Sequence, residues 1–317
     1  MSNRFKFIRA AQKSEEWFNL RKRGITATDI TAITGVSPYK SPYRLWSEKT
    51  GAIEPQTVGA AALRGTLLED AVGRYYELER GVKLRKSNGV VVLKKHPWAM
   101  ASLDRTIVGE PDGLVEIKTS ASQRWSLYPV PPEVIAQVQW QMLITGAQWC
   151  DVVALLGSLV FRIERVEADP IYQTELFAKA EMFRELIATN TPPSVMGADS
   201  KTFEESHPQK SDDYAEATPE LERVARAYAE ATYEAKLLDE QIATHAIAIK
   251  EVIGEKLGIM GKGWSATWKQ NRSSVKVDWE AVAADLNAPA SVIEARTTVK
   301  PGARMFKVKL NEGGDNE

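Results

Sequence analysis

The sequence has a single cysteine, Cys150, set in an apolar run, so neither a disulfide framework nor a cysteine-based zinc site is available to it. Its three histidines, His96, His207 and His245, are far apart, and a histidine-rich metal centre is not expected. Any metal would then be held by carboxylates and carbonyls, which suits Mg²⁺ or Mn²⁺. No stretch approaches the ~18 consecutive apolar residues of a membrane span, and the opening MSNRFKFIRAAQKSEEW lacks the apolar centre of a signal peptide. The expected compartment is the cytoplasm. Excess charge of one sign is also missing: the formal net charge is −1, so affinity for nucleic acid has to come from local patches.

What is present is the composition of a soluble globular protein, with 44% hydrophobic and 26% charged residues over 317 positions. Charge is uneven beneath the neutral total. Residues 1–60 carry ten Lys/Arg against five Asp/Glu, residues 196–240 five against twelve, and residues 261–310 nine against four. Helical patterns occupy 14–35 (two helices around a turn), 42–50, 61–80, 131–146 and 170–189. Between 82 and 120 the period changes to β-branched runs punctuated by Asn-Gly and Pro-Asp-Gly, predicting three antiparallel strands, and 151–165 predicts one or two more. Prolines and acids at 193–218 predict a linker after a first domain at 1–192. Residues 219–317 predict a long helix followed by a small basic α/β module. In that helix Leu221, Val224, Tyr228, Ala231, Ala235, Leu238, Ile242, His245, Ile249 and Val252 keep a 3-4 spacing, which predicts a covered seam with His245 inside it. Trp264, Trp268 and Trp279 are expected in the core of the terminal module, which ends on a strand at RMFKVKL.

The chemistry lies in Val115-Glu116-Ile117-Lys118. On a strand, residues i and i+2 share a face, so Glu116 and Lys118 point together, Ile117 faces the core, and the Ile117 carbonyl remains available as an oxygen ligand. Cleaving a phosphodiester with metal ions needs a second, converging carboxylate. Asp112 is four residues from Glu116, about 13 Å along an extended strand, and reads as a turn former in Pro111-Asp112-Gly113. Asp104 lies on the preceding strand. A hairpin turning near Glu110 pairs residues whose numbers sum to 220 and sets Asp104 opposite Glu116, with Cβ atoms ~5 Å apart.

These residues sit within a longer pattern. It runs from Glu16-Trp17, Leu20-Arg21 and Gly24-Ile25-Thr26-Ala27-Thr28-Asp29 to Gly35-Val36-Ser37-Pro38-Tyr39-Lys40-Ser41-Pro42. It continues through Gly65-Thr66-Leu67-Leu68-Glu69, Ala101-Ser102-Leu103-Asp104, Glu116-Ile117-Lys118-Thr119 and Ala136-Gln137-Val138-Gln139-Trp140. In order and spacing the pattern resembles the YqaJ-like viral recombinase nucleases, the family of phage lambda exonuclease, over about residues 14–190. The chain departs from the family's Pro-Asp-Gly at Leu103-Asp104-Arg105.

The resemblance implies an α/β PD-(D/E)xK core, a mixed and mostly antiparallel twisted sheet flanked by helices. It implies two Mg²⁺ or Mn²⁺ ions held by Asp104, Glu116, Glu69 and the Ile117 carbonyl. Lys118 would orient or activate water, and Gln137 would position these groups. Arg21 and Thr28 would hold a 5′-phosphate, Thr28 from the first turn of a helix, where free N–H groups favour an anion. The implied activity is 5′-to-3′ exonuclease action on duplex DNA ends in a phage-type recombination system. A single-strand annealing protein would be the partner, and a ring of three copies the assembly. A structure-selective endonuclease using the same residues is the enzyme alternative, and a binding module with a decayed nuclease core is the other.

Overall fold

Local capping decides where the helices begin. Ser14, Thr26 and Ser41 each accept a hydrogen bond from the backbone N–H three residues on, at Trp17, Asp29 and Arg44. Thr26 and Asp29 close a reciprocal capping box. A computed structural model describes residues 4–11, 14–55, 59–157, 159–208, 213–271 and 278–297. Contacts divide the chain into two units, 1–208 and 209–317.

In the first unit the elements are β1 (Phe5–Arg9), α1 (Glu15–Lys22), α2 (Ala27–Ile33), α3 (Pro42–Thr50), α4 (Ala60–Arg80), β2 (Leu84–Lys86), β3 (Gly89–Leu93) and β4 (Met100–Ser102). They continue with β5 (Arg105–Ile107), β6 (Glu110–Ser120), α5 (Arg124–Leu127), α6 (Pro132–Thr145), β7 (Trp149–Leu156), β8 (Phe161–Glu167), α7 (Pro170–Ala188) and α8 (Ser200–Ser206).

The main sheet has the order β2-β5-β6-β7-β8, and a smaller sheet has the order β1-β3-β4. All pairings are antiparallel except β6 with β7. The fold is therefore α/β with a mixed, mostly antiparallel sheet, as the sequence predicts. The three strands expected between 82 and 120 are five, shared between two sheets. Beyond Ser102 the chain leaves the small sheet, and at Arg105 it enters the main one, so Leu103 and Asp104 occupy the gap between them.

Strand β6 is covered on both faces. Val115 and Ile117 pack with Val72 and Tyr76 of α4, while Leu114 joins the larger core around Ala136, Trp140 and Val152. Trp140 is fully buried, and its indole N–H donates to the Met100 carbonyl at 3.1 Å.

Pro111-Asp112-Gly113 does not form the expected turn. The reversal lies at Val108-Gly109, where Gly109 takes a φ of +90°, and Asp112 is exposed within β6. Gly113 is instead required by its parallel neighbour: a Cβ there would lie 2.4 Å from the Trp149 ring.

The division between units, at 208/209, falls within the stretch 193–218. Helix α8 and the 3-10 turn before it (Gly197–Asp199) dock on α3 through Ser41 with Asp199, Arg44 with Thr202 at 3.2 Å, and Tyr43 with Ser206 at 3.0 Å.

The second unit contains α9 (Pro219–Ile253), β9 (Gly258–Gly261), β10 (Trp264–Thr267), α10 (Trp279–Asp285) and α11 (Ala290–Glu294). The long helix forms as its spacing predicts, and in the single chain its seam is exposed among the described residues. Along α9 Ile253 is the only buried residue, Leu238 and Ile242 are exposed, and His245 is exposed rather than interior. The three tryptophans are also exposed rather than core, with Trp279 at 72%. The strand expected at RMFKVKL lies outside the described residues. Among the described residues, no helix is long and apolar enough to cross a membrane.

Candidate active site

Strand β6 ends beside α6, and this neighbourhood positions the acid and the amine. Glu116 is 2% exposed and both its oxygens are engaged. Oε1 accepts from Lys118 Nζ at 2.6 Å and from the Gln137 amide, and Oε2 accepts from Gln141 Nε2 at 2.8 Å. Lys118 Nζ also donates to Gln137 Oε1 at 3.0 Å. One amide thus accepts from the ammonium and donates to the carboxylate, which fixes their separation. Burial works against the Lys118 charge, but Glu116 and then Asp104 more than offset it, and the pKa is raised. Lys118 is therefore a persistent cation.

The hairpin register is the predicted one. Arg105 pairs with Val115 and Thr106 with Leu114, before a bulge shifts Ile107 to Glu110. Asp104 lies just beyond the end of β5, where it caps the main sheet: its Oδ2 accepts from the Ile117 N–H at 2.8 Å. No partner for Asp104 Oδ1 occurs among the described residues. Burial first, then the charge of Glu116 and to a lesser degree Glu69, push the Asp104 carboxyl up to about 8, against the pull of Lys118 and the Ile117 N–H.

Glu69 reaches the same place from α4, on the opposite face of the sheet. Its Oε1 accepts from Arg105 Nη1 at 2.5 Å. Because the sheet stops at Asp104, residues from both faces can meet there.

The α1–α2 corner supplies the cations of the other wall. The Arg21 guanidinium lies over the Trp17 ring at 4.3 Å and donates to Ser102, Thr26 and Thr28 hydroxyls at 3.3 to 3.4 Å. These partners are neutral and their bonds long. Burial lowers the Arg21 pKa, with Asp29 opposing that shift. Lys49 of α3 fixes the corner, donating to the Arg21 and Gly24 carbonyls at 2.8 and 2.7 Å and pairing with Asp29 at 2.8 Å. Burial opposes ionisation of Asp29, but Lys49 and Arg21 hold its carboxyl below the usual range.

A cavity of about 380 Å³ is lined by Arg21, Thr28, Glu69, Asp104, Glu116, Ile117, Lys118 and Gln137. All the residues singled out in the sequence therefore line one space. A second chamber of about 260 Å³ shares Thr28, Lys118 and Gln137 with it. A further cavity, about 740 Å³ near Lys95 and Phe177, is lined by none of these residues.

Sequence reasoning missed Gln141, Arg105 and Lys49. Gln141 carried a signal, since glutamines at 137 and 141 share one face of an otherwise apolar helix. The other two act through tertiary contacts that no local pattern encodes.

Among the described residues, no three His, Cys, Asp or Glu side chains form a ready-made metal cage. The donor set nevertheless fits a hard divalent cation. Asp104, Glu116 and Glu69 line one cavity, and the charge of Glu116 and Glu69, which adds to burial in raising the Asp104 pKa, would be offset by a cation there.

The sheet thus carries a buried acid-x-Lys, Glu116 to Lys118, on its central strand, with the acid Asp104 at the strand edge beside it. Residues 16–148 match the family described as the YqaJ-like viral recombinase domain. The chain is 26% identical over 272 residues to "Uncharacterized protein YqaJ" of Bacillus subtilis (strain 168), covering 80% of this chain and 83% of that one. Among solved structures it is similar to the alkaline exonuclease LHK-Exo from Laribacter hongkongensis. That match has 26% identity over 56% of this chain and 94% of that one, with a TM-score of 0.47. A phage related exonuclease from Haemophilus somnus 129PT matches at 11% identity over 52% of this chain and 96% of that one, with a TM-score of 0.39.

Proposed function

We propose that this protein is a divalent-metal-dependent exonuclease that degrades duplex DNA from 5′ ends within a phage-type recombination system. The observation that carries the reading is the single cavity lined both by three acids and by a half-buried arginine whose hydrogen bonds, among the described residues, go to neutral hydroxyls. An arginine in that state favours a phosphate, which offers charged oxygens in place of hydroxyls.

Asp104, Glu116, Glu69 and the Ile117 carbonyl would hold the cations, two Mg²⁺ ions with Mn²⁺ as a substitute. When bound, such ions lower the pKa of water and offset charge on the attacking and leaving oxygens. Lys118, whose Nζ lies 2.6 Å from Glu116 Oε1 and 3.0 Å from Gln137 Oε1, would orient or activate the attacking water. Gln137 and Gln141 hold Glu116 in one orientation. Arg21 and Thr28 anchor the terminal phosphate and set how far the strand enters.

The proposal extends to assembly. The open apolar stripe on α9 supports association with further copies, as a ring of three, or with a single-strand annealing protein in the cytoplasm.

The test is degradation of short duplexes bearing 5′-phosphate or 5′-hydroxyl ends, with Mg²⁺ or excess EDTA. Mg²⁺-dependent release of nucleotides, faster from 5′-phosphorylated ends, is expected. Cleavage that persists in EDTA, or equal rates on both ends, would overturn the metal or the phosphate assignment respectively.

A further inference from the structure

The residue after Asp104 is a buried arginine, and its bonds define a role that the preceding reading leaves open. Arg105 is 5% exposed and crosses from β5 to α4. It passes Gly73, where a Cβ would lie 3.5 Å from its Nε, and reaches the helix one turn earlier. There its fork divides. Nη1 donates both to Glu69 Oε1 at 2.5 Å and to the Asp104 carbonyl at 2.8 Å, while Nη2 donates to Asp70 Oδ1 at 2.5 Å. Lys86 assists from β2, 3.1 Å from Asp70 and 3.7 Å from Glu69 Oε1. Both cations therefore approach Glu69 at the same oxygen. Oε2 has no partner among the described residues, and Glu69 lines the catalytic cavity.

Through Nη1, one nitrogen ties the α4 acid to the backbone of the strand-edge acid. We propose that Arg105 is a positioning residue: it holds Glu69 by one oxygen beside Asp104, so that the other oxygen is presented to a divalent cation. This inference rests on the metal-dependent reading of the site. It explains why an arginine can stand beside a cation site at all, because the gain in carboxylate placement exceeds the repulsion it adds.

That balance gives the test its sign. Charge alone predicts that removing Arg105 tightens cation binding, whereas positioning predicts that it weakens it. Mn²⁺ binding to the metal-free full-length protein is measured by calorimetry for wild type, Arg105→Met, Glu69→Gln and the double variant, with thermal melts run alongside. Arg105→Met is expected to weaken Mn²⁺ binding by about tenfold, within the range typical of groups that orient metal ligands. Glu69→Gln should weaken it comparably, and the double variant should bind no worse than Glu69→Gln alone. Should Arg105→Met melt before binding can be read, Arg105→Lys keeps the charge without the fork and is expected to bind more weakly than wild type. Equal or tighter binding by Arg105→Met (or, in its place, by Arg105→Lys), or additive losses in the double variant, would overturn the positioning role. If wild type itself binds no Mn²⁺, the metal reading of the cavity fails and takes this inference with it; normal binding by wild type with an unaffected Arg105 variant removes the inference alone.

Discussion

The two units of the chain handle their side chains in opposite ways. In the first, the candidate polar groups are buried and partnered: Glu116 accepts from three donors, Arg105 donates along both arms, and Lys49 holds two carbonyls and a carboxylate. In the second, large apolar groups are left open, from Leu221 to Val252 along α9 and at Trp264, Trp268 and Trp279. Among the described residues that polar network is open at Asp104 Oδ1 and Glu69 Oε2, whereas an apolar stripe of this length costs free energy in water until something covers it. The contrast separates a unit held by its own packing and polar contacts from one with a large exposed apolar surface.

The largest effect that could break this contrast concerns the two aspartates. Asp104→Ala is expected to reduce cleavage to background with the fold retained, while exposed Asp112→Ala should keep activity and change stability by no more than about 0.5 kcal/mol. Rates from purified variants with matching melting curves check this, and the reverse pattern would refute the register of the site. Next comes Gln141→Leu, which removes the donor from Glu116 Oε2 and should lower kcat by roughly 10- to 100-fold. A variant with wild-type kcat would show that Gln137 and Lys118 suffice. Arg21→Ala should remove the preference for 5′-phosphate ends, a loss of about tenfold at 1.5 kcal/mol for a hydrogen bond to a charged group. Competition between the two end types reads it directly. The smallest effect is expected from ending the chain after Pro208. Cleavage of short duplexes should stay within about a factor of two, because every candidate chemical residue and the α8–α3 contacts are retained. The same truncation, or Leu238→Glu with Ile242→Glu in the full chain, should abolish self-association by light scattering. A truncated protein that folds but does not cut would erase the distinction between the units.

Local signals made much of the first unit legible. Helical patterns at 14–35 and 42–50 placed the early helices, and the sum rule of the hairpin gave the pairing of Arg105 with Val115. The alternation of Glu116 and Lys118 gave the shared face. What local signals could not give was which strand each strand would meet. Pro111-Asp112-Gly113 reads as a turn, yet its glycine answers to Trp149 on β7, thirty-six positions on by the register Gly113 with Trp149. The split of 82–120 between two sheets has the same cause, as does the docking of α8 on α3. In α9 the spacing correctly gave a helix but not its surroundings. Periodicity says that a face exists; it does not supply the surface that buries it.

The catalytic cavity draws on α1, α4, the turn into β5, β6 and α6, contributed between Arg21 and Gln141. A chain emerging from the ribosome therefore makes Asp104 and Glu116 well before the helix that orients them. Contacts so distant in sequence form late, after the loops between them have closed. Until α6 docks, Glu116 and Lys118 lack the glutamines that fix their separation. The candidate site is thus complete only in the finished fold.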